Sequence, residues 1–222
     1  MTTASLSGLR IVVSAGPTFE DIDPVRFLGN RSSGKMGFAI AAAAAKRGAD
    51  VALIAGPVHL ATPDGVQRRD VRSAAQLYDA VLAALPADVY IGAAAVADYT
   101  PRTVAAHKLK KVDGVDMLTL DLVRTHDVLA GIGAGPLRPR LLVGFAAETG
   151  NIQACARAKL VKKNLDLIVA NRVGVAGSGF ESDDNALMVY GHDFERAFDS
   201  APKTQLADAL LDLIAERLQA WS

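Results

Sequence analysis

Hydrophobic and polar positions along this chain fall into two kinds of block. Short aliphatic runs recur at residues 9–15 (LRIVVSA), 50–55 (DVALIA), 88–95 (DVYIGAAA), 141–145 (LLVGF) and 165–170 (LDLIVA), and residues 66–71 (VQRRDV) add a more polar short strand. Apolar runs this short, bounded by turn residues, read as buried strands. Between them lie stretches of helical character. Residues 36–47 are largely alanine and close on Gly48; residues 74–84 follow the cap Ser73; a short helix starts at Asp127 and runs to about Gly131; residues 152–163 end in lysines. The final stretch, residues 204–221, puts Leu206, Leu210, Leu213, Ile214 and Leu218 on one face. Strand and helix alternating in this way predict an α/β fold, with a mostly parallel sheet covered by helices on both faces.

Three regions break the alternation. Residues 19–35 show no period and read as one long loop, a length that usually marks function. Residues 100–117 are irregular and polar, with Arg102, Lys108, Lys110 and Lys111 among them. Residues 118–122 alternate like a strand, and residues 186–190 form another behind a loop at 177–184.

Composition narrows the class. The 222 residues contain no linker or repeat and read as a single domain over residues 1–222. Lys plus Arg and Asp plus Glu are both 24, so the basic excess of a nucleic-acid binder is missing. The one cysteine, Cys155, leaves no disulfide framework and no paired-cysteine metal site. Mean hydropathy is +0.22, enough for a sizeable core. No apolar run is long enough to span a membrane, and residues 1–10 lack the apolar centre of a signal peptide. These features predict a cytoplasmic protein that acts on small molecules.

The chemistry gathers in residues 23–37, DPVRFLGNRSSGKMG. A polar, glycine-containing loop between a strand and a helix aims backbone N–H groups and a helix dipole at an anion. Ser32, Ser33 and Gly34, with Gly16 at the end of the first strand, are the candidate phosphate loop. Gly29, Gly34 and Lys35 spell most of a P-loop, but Met36 stands where that motif needs Ser or Thr for magnesium. The first strand is followed by Gly16-Pro17-Thr18 and lacks the G-x-G-x-x-G of a dinucleotide site. In a parallel sheet, ligands bind beyond the carboxyl ends of strands. Residues 93–98, 145–149 and Asn171 fall there. Small side chains at 93–95 let a flat ligand approach the backbone, and Asp98 can take a ribose hydroxyl or a metal. Lys108, Lys110 and Lys111 read either as a solvated face or as a flap closing over phosphates. Lys159 and Lys163 share a helix face.

Together the segments SAGPTFEDIDPVRFLGNRSSGKMG, GAAAVADY, HKLKK, VGFAAET, KLVKKNLDLIVAN and GFESDDNAL resemble one family, the phosphopantothenoylcysteine synthetases of coenzyme A biosynthesis. The resemblance implies a Rossmann-like three-layer αβα fold with a strand extension used for homodimerisation. It implies a ligase that joins 4′-phosphopantothenate to L-cysteine with CTP and magnesium, through an acyl-cytidylate, releasing pyrophosphate and then CMP. In many bacteria this activity is half of a bifunctional protein, so a flavin-dependent decarboxylase, fused or associated, is an expected partner. Carried over residue by residue, the nucleotide contacts are Gly92, Ala93, Ala94, Asp98, Lys108, His126, Asp127, Val128, Leu129, Phe145, Lys159 and Lys163. Residues 126–129 read His-Asp-Val-Leu where many relatives have Asn-Pro-Asp-Ile or similar, which favours backbone contacts there. Asn30 matches the catalytic asparagine, Lys108 the flap lysine, and Arg26 a motif arginine suited to the acyl substrate's phosphate. Metal ligands are not assigned. Three other readings stay open: an ATP-using member of the family, a nicotinamide-dependent oxidoreductase, and a non-catalytic nucleotide-binding module.

Overall fold

The structure, a computed structural model, describes residues 4–111, 113–114, 116–148, 151–172 and 183–220. Twelve strands and five helices follow in chain order among them: β1 (Arg10–Ala15), β2 (Phe19–Asp21), β3 (Phe27–Gly29), α1 (Lys35–Lys46), β4 (Asp50–Ala55), β5 (Val66–Asp70), α2 (Ala74–Ala84), β6 (Val89–Gly92), β7 (Tyr99–Pro101), β8 (Leu122–Arg124), α3 (Val128–Ala134), β9 (Leu141–Glu148), α4 (Ile152–Lys162), β10 (Leu167–Arg172), β11 (Asp184–Tyr190), β12 (Glu195–Pro202) and α5 (Lys203–Ala220).

Eight strands form one sheet in the order β12-β11-β10-β9-β6-β1-β4-β5. The run from β10 to β5 is parallel, and β11 and β12 add an antiparallel hairpin at one edge. Read along the chain, the parallel strands have the Rossmann order, and it reverses between β1 and β6. The central strands β1 and β6 are nearly all buried because helices cover both faces. On one face Phe38, Ile40 and Ala41 of α1 and Leu206, Leu210 and Ile214 of α5 pack on Ile11, Val13, Leu53 and Val143. On the other, Leu77 of α2, Ile132 of α3 and Leu160 of α4 pack on Val12, Tyr90 and Leu142. These two clusters are the predicted αβα layers.

The structure corrects several expectations. Residues 19–35 are not one loop: β2 and β3 pair antiparallel within them. The rings of Phe19 and Phe27 stack at 3.8 Å, and the Arg72 guanidinium lies over both while pairing with Asp21 at 2.6 Å. Residues 118–121 are not a strand; the pairing falls at β8, which joins β7 in a separate ribbon. The run at 88–95 ends as a strand at Gly92, with a lone parallel bridge from Ala95 to Pro17. Residues 186–190 lie inside β11, an interior strand, so the sheet edge is the unforeseen β12. The short helix α3 reaches Ala134 rather than 131, with Asp127 as its cap. Thr149, residues 177–182 and Trp221 lie outside the described residues. No described helix is long and apolar enough to cross a membrane.

Candidate active site

A cavity of about 590 Å³ opens beyond the carboxyl ends of β1, β6 and β9, where the strand order reverses. Its floor is Ser14 and Tyr90, joined by a hydroxyl–hydroxyl bond of 3.0 Å. Tyr90 is fully buried, and burial raises its phenol well above the usual range. It is a neutral wall rather than a base.

The helix α1 supplies one side. Its N-cap is Gly34, at φ +76°, a left-handed conformation that glycine adopts without strain. Glycine offers no capping side chain, and the positive end of the α1 dipole meets the cavity that Gly34, Lys35, Met36 and Gly37 line. Ser32, Ser33 and Gly34 line the cavity. Gly16 does not. It packs behind Gly34, and its carbonyl accepts from Ala95 N–H at 2.9 Å.

The sheet supplies the second side. Gly92, Ala93, Ala94, Asp98 and Phe145 all face the cavity. A side chain at Gly92 would place its first carbon 2.7 Å from Leu129, so the missing side chain sets how close residues 126–129 approach. Beyond Gly92 the chain is stitched down by hydrogen bonds. Ala97 N–H donates to the buried Thr18 hydroxyl at 2.9 Å, and the Thr125 hydroxyl donates to Ala97 O at 2.6 Å.

The third side is α3 with α4. His126, Asp127, Val128 and Leu129 line the cavity. The His126 ring stacks on Tyr78 at 5.6 Å. Asp127 is already engaged: one oxygen caps Ala130 N–H at 3.1 Å, and the other pairs with Lys163 at 3.1 Å. Lys159 and Lys163 line the cavity, where the family resemblance puts them, and Lys162 joins them.

Arg26, Asn30 and Lys108 do not line this cavity. Asn30 is tied to its rim, its amide donating to Ala95 O at 3.0 Å. Arg26 pairs with the buried Asp23 at 2.7 Å and donates to Leu109 O at 2.7 Å. Lys108 is exposed, one residue before that contact.

Sequence reasoning missed a fourth group. Lys35, Asn185 and Lys203 also line the cavity. Lys35 pairs with Asp183 at 2.6 Å and holds that carboxyl below its usual range. Lys203 is 6% exposed, and burial, with Lys35 nearby, lowers its ammonium from the ordinary lysine value. The hairpin β11–β12 brings Asn185 and Lys203 here across the sheet, and no local motif announces such a meeting. Asn171, foreseen from its strand end, lines the cavity too.

Among the described residues, no three His, Cys, Asp or Glu side chains converge to hold a metal ion. The lining sets one helix N-terminus and several lysines around a small-residue strand end, an arrangement suited to a polyanion.

Comparison with known proteins bears on the family and the fold. The chain is 48% identical to the coenzyme A biosynthesis bifunctional protein CoaBC of Vibrio cholerae over 214 residues, 96% of this chain and 54% of the relative. It is 48% identical to CoaBC of Escherichia coli K12, covering 96% of this chain and 53% of the relative. It thus spans about half the length of these curated relatives. The crystal structure of the C-terminal domain of CoaBC superposes with a TM-score of 0.81 at 39% identity, over 97% of this chain and 98% of that one. The Cab2 H337A variant in complex with phosphopantothenate-cysteine, 14% identical, shares the fold at a TM-score of 0.76 over 96% of this chain and 87% of its own. The pattern of the DNA/pantothenate metabolism flavoprotein C-terminal domain matches residues 6–218, and the chain belongs to that family.

Proposed function

We propose that this chain is a ligase of coenzyme A biosynthesis that joins 4′-phosphopantothenate to L-cysteine with CTP. The observation that carries the reading is the cavity itself: a narrow Gly92–Ala94 strand end flanked by the α1 N-terminus and the lysines of α4. The small strand end suits a base and ribose, with Asp98 beside it. The lysines and the helix N-terminus suit a triphosphate.

In this reading the substrate carboxylate attacks the α-phosphorus, and the bond to the bridging oxygen breaks with release of pyrophosphate. The cysteine amine then attacks the acyl carbon of the acyl-cytidylate. An oxyanion forms and collapses, and CMP leaves. Lys108 offsets charge on the triphosphate in the first step. Asn30 donates to the oxyanion in the second, and Arg26 meets the acyl substrate's phosphate. Neither Asn30 nor Lys108 lines the cavity, so both act from its margin once substrates are bound. Among the described residues the side chains build no magnesium cage; magnesium would be held mainly by the nucleotide's phosphates and by water.

The same reading includes a homodimer. Seven large exposed hydrophobic residues, Val25, Phe27, Tyr99, Val104, Met117, Leu118 and Leu122, lie on β3, on the β7–β8 ribbon and on the segments beside them. It also includes a flavin-dependent decarboxylase as a fused or associated partner, because the relatives are bifunctional, and a cytoplasmic setting where cysteine stays reduced. The test is incubation with phosphopantothenate, cysteine, magnesium and each nucleoside triphosphate, following pyrophosphate. Release with CTP that depends on phosphopantothenate is expected. Absence of release with every triphosphate tried, or release that does not need phosphopantothenate, would overturn the reading.

A further inference from the structure

Arg26 and Lys108 are more than eighty residues apart, yet a buried carboxylate joins their segments. Asp23 is 1% exposed. Its Oδ1 accepts from the backbone N–H groups of Val25 and Arg26, each at 2.8 Å. Its Oδ2 accepts from Arg26 Nε at 3.1 Å, Arg26 Nη2 at 2.7 Å and the backbone N–H of Leu109 at 3.1 Å. Arg26 Nη2 also donates to Leu109 O at 2.7 Å. One ion pair therefore holds both backbone groups of Leu109. Four residues upstream, Ala105 N–H donates to Ile22 O at 2.9 Å.

The two oxygens do different things. Oδ1 closes a local turn of the kind that Asn makes equally well. A turn needs no second oxygen and no charge. Oδ2 faces three N–H donors, and an asparagine amide there would set donor against donor. A carboxylate buried this deeply is costly unless its partners are all in place, and here they include a distant backbone. The contacts hold Asp23 ionised, its pKa well below the carboxylate range, led by Arg26.

We infer that Asp23 is a positioning residue: through Arg26 and Leu109 it fixes the lysine-bearing segment onto the turn that leads through β3 to Asn30. Lys108 and Asn30 are thereby set on one docked unit at the cavity margin. Asp23 touches no reacting atom in this account, and its catalytic consequence rests on the proposed role of Lys108.

The test combines hydrogen exchange with a double-mutant cycle. Asp23→Asn keeps the turn acceptor and reverses the Oδ2 contact. Exchange at Leu109 and its neighbours should quicken about tenfold, with β1 and α1 amides unchanged. Pyrophosphate release should fall about tenfold, a coupling typical of a shared hydrogen-bond network. On a Lys108→Gln background, Asp23→Asn should cost clearly less than it does alone, the remainder being the part that acts through Arg26. Ala105→Pro, which removes the N–H donated to Ile22 without touching Asp23, should give the same pattern in smaller degree. Unchanged exchange at Leu109 in Asp23→Asn, or additive losses in the cycle, would overturn the inference. If the wild-type chain releases no pyrophosphate, the ligase reading fails by itself, and the exchange arm still decides whether Asp23 docks the segment.

Discussion

The cavity and its margin are built by different means. Gly92 and Phe145 sit on parallel ladders, and Ala93 follows just past the end of β6 with its N–H donated to Ser14 O at 3.0 Å, so backbone bonds fix them whatever their own side chains do. Arg26, Asn30 and Lys108 sit off the sheet. They are held by particular polar groups: Asp23 for Arg26, and Ala95 O for Asn30. A sheet positions ligand contacts by shape, and a loop positions them by named hydrogen bonds. Changes on the first side should act on how well a ligand fits. Changes on the second should act on what happens to it.

The largest effect is expected at Asn30. Asn30→Asp loses the amide donor and adds negative charge where an oxyanion develops, so product formation should fall on the order of 10²–10³-fold. Pyrophosphate should still appear once per site, and acyl-cytidylate should accumulate. Quenched single turnovers with mass detection check this. An enzyme that consumes the intermediate on adding cysteine as fast as wild type would put Asn30 outside the chemistry, and one that never forms it would move Asn30 to the first step.

Lys108→Gln should act earlier, suppressing acyl-cytidylate formation by about 10²-fold with the fold intact. Pyrophosphate release at the wild-type rate would make Lys108 part of a solvated face. Next in size is nucleotide choice. A site whose backbone pairs with a pyrimidine leaves groups unpaired around a purine, so CTP should support release more than tenfold better than ATP. Equal rates at matched concentrations would break the sheet side of the comparison.

The smallest effect belongs to Gly92. Gly92→Ala pushes Leu129, whose terminal carbon would lie 2.7 Å away, toward the nucleotide. The Michaelis constant for CTP should rise roughly threefold, about 0.6 kcal/mol, with kcat and melting temperature nearly unchanged. A fall in kcat instead would show that the strand end also aligns the reacting phosphorus.

The same contrast explains what could be read from the chain. The parallel strands other than β5 (VQRRD) announce themselves as aliphatic runs, and the strand-end rule then names Ala93, Ala94, Phe145 and Asn171 directly. Gly92, Lys159 and Lys163 come with the family resemblance, since helical spacing alone gives the two lysines only a shared face. The hairpin β2–β3 escaped because its strands have three residues each, too few to show a period. Strand β12 escaped because it is a mostly exposed edge whose polar and apolar residues, ERAFDSAP, do not alternate. Residues 118–121 mislead in the opposite sense: their alternation builds no strand, and the ladder to β7 starts at Leu122, with Asp121 O accepting from Arg102 N–H just outside it. Lys203 and Asp23 were illegible for one reason. Each takes its place from a contact with a distant segment, which no local pattern encodes.

The most direct measurement of the central claim omits cysteine. The chain is mixed with CTP, magnesium and phosphopantothenate, quenched, and assayed for pyrophosphate and for acyl-cytidylate. One pyrophosphate and one acyl-cytidylate per site, both appearing before any cysteine is added and the latter consumed when it is, are the predicted result. Pyrophosphate that appears only with cysteine present, or no nucleotide-linked acyl species at all, would contradict the account.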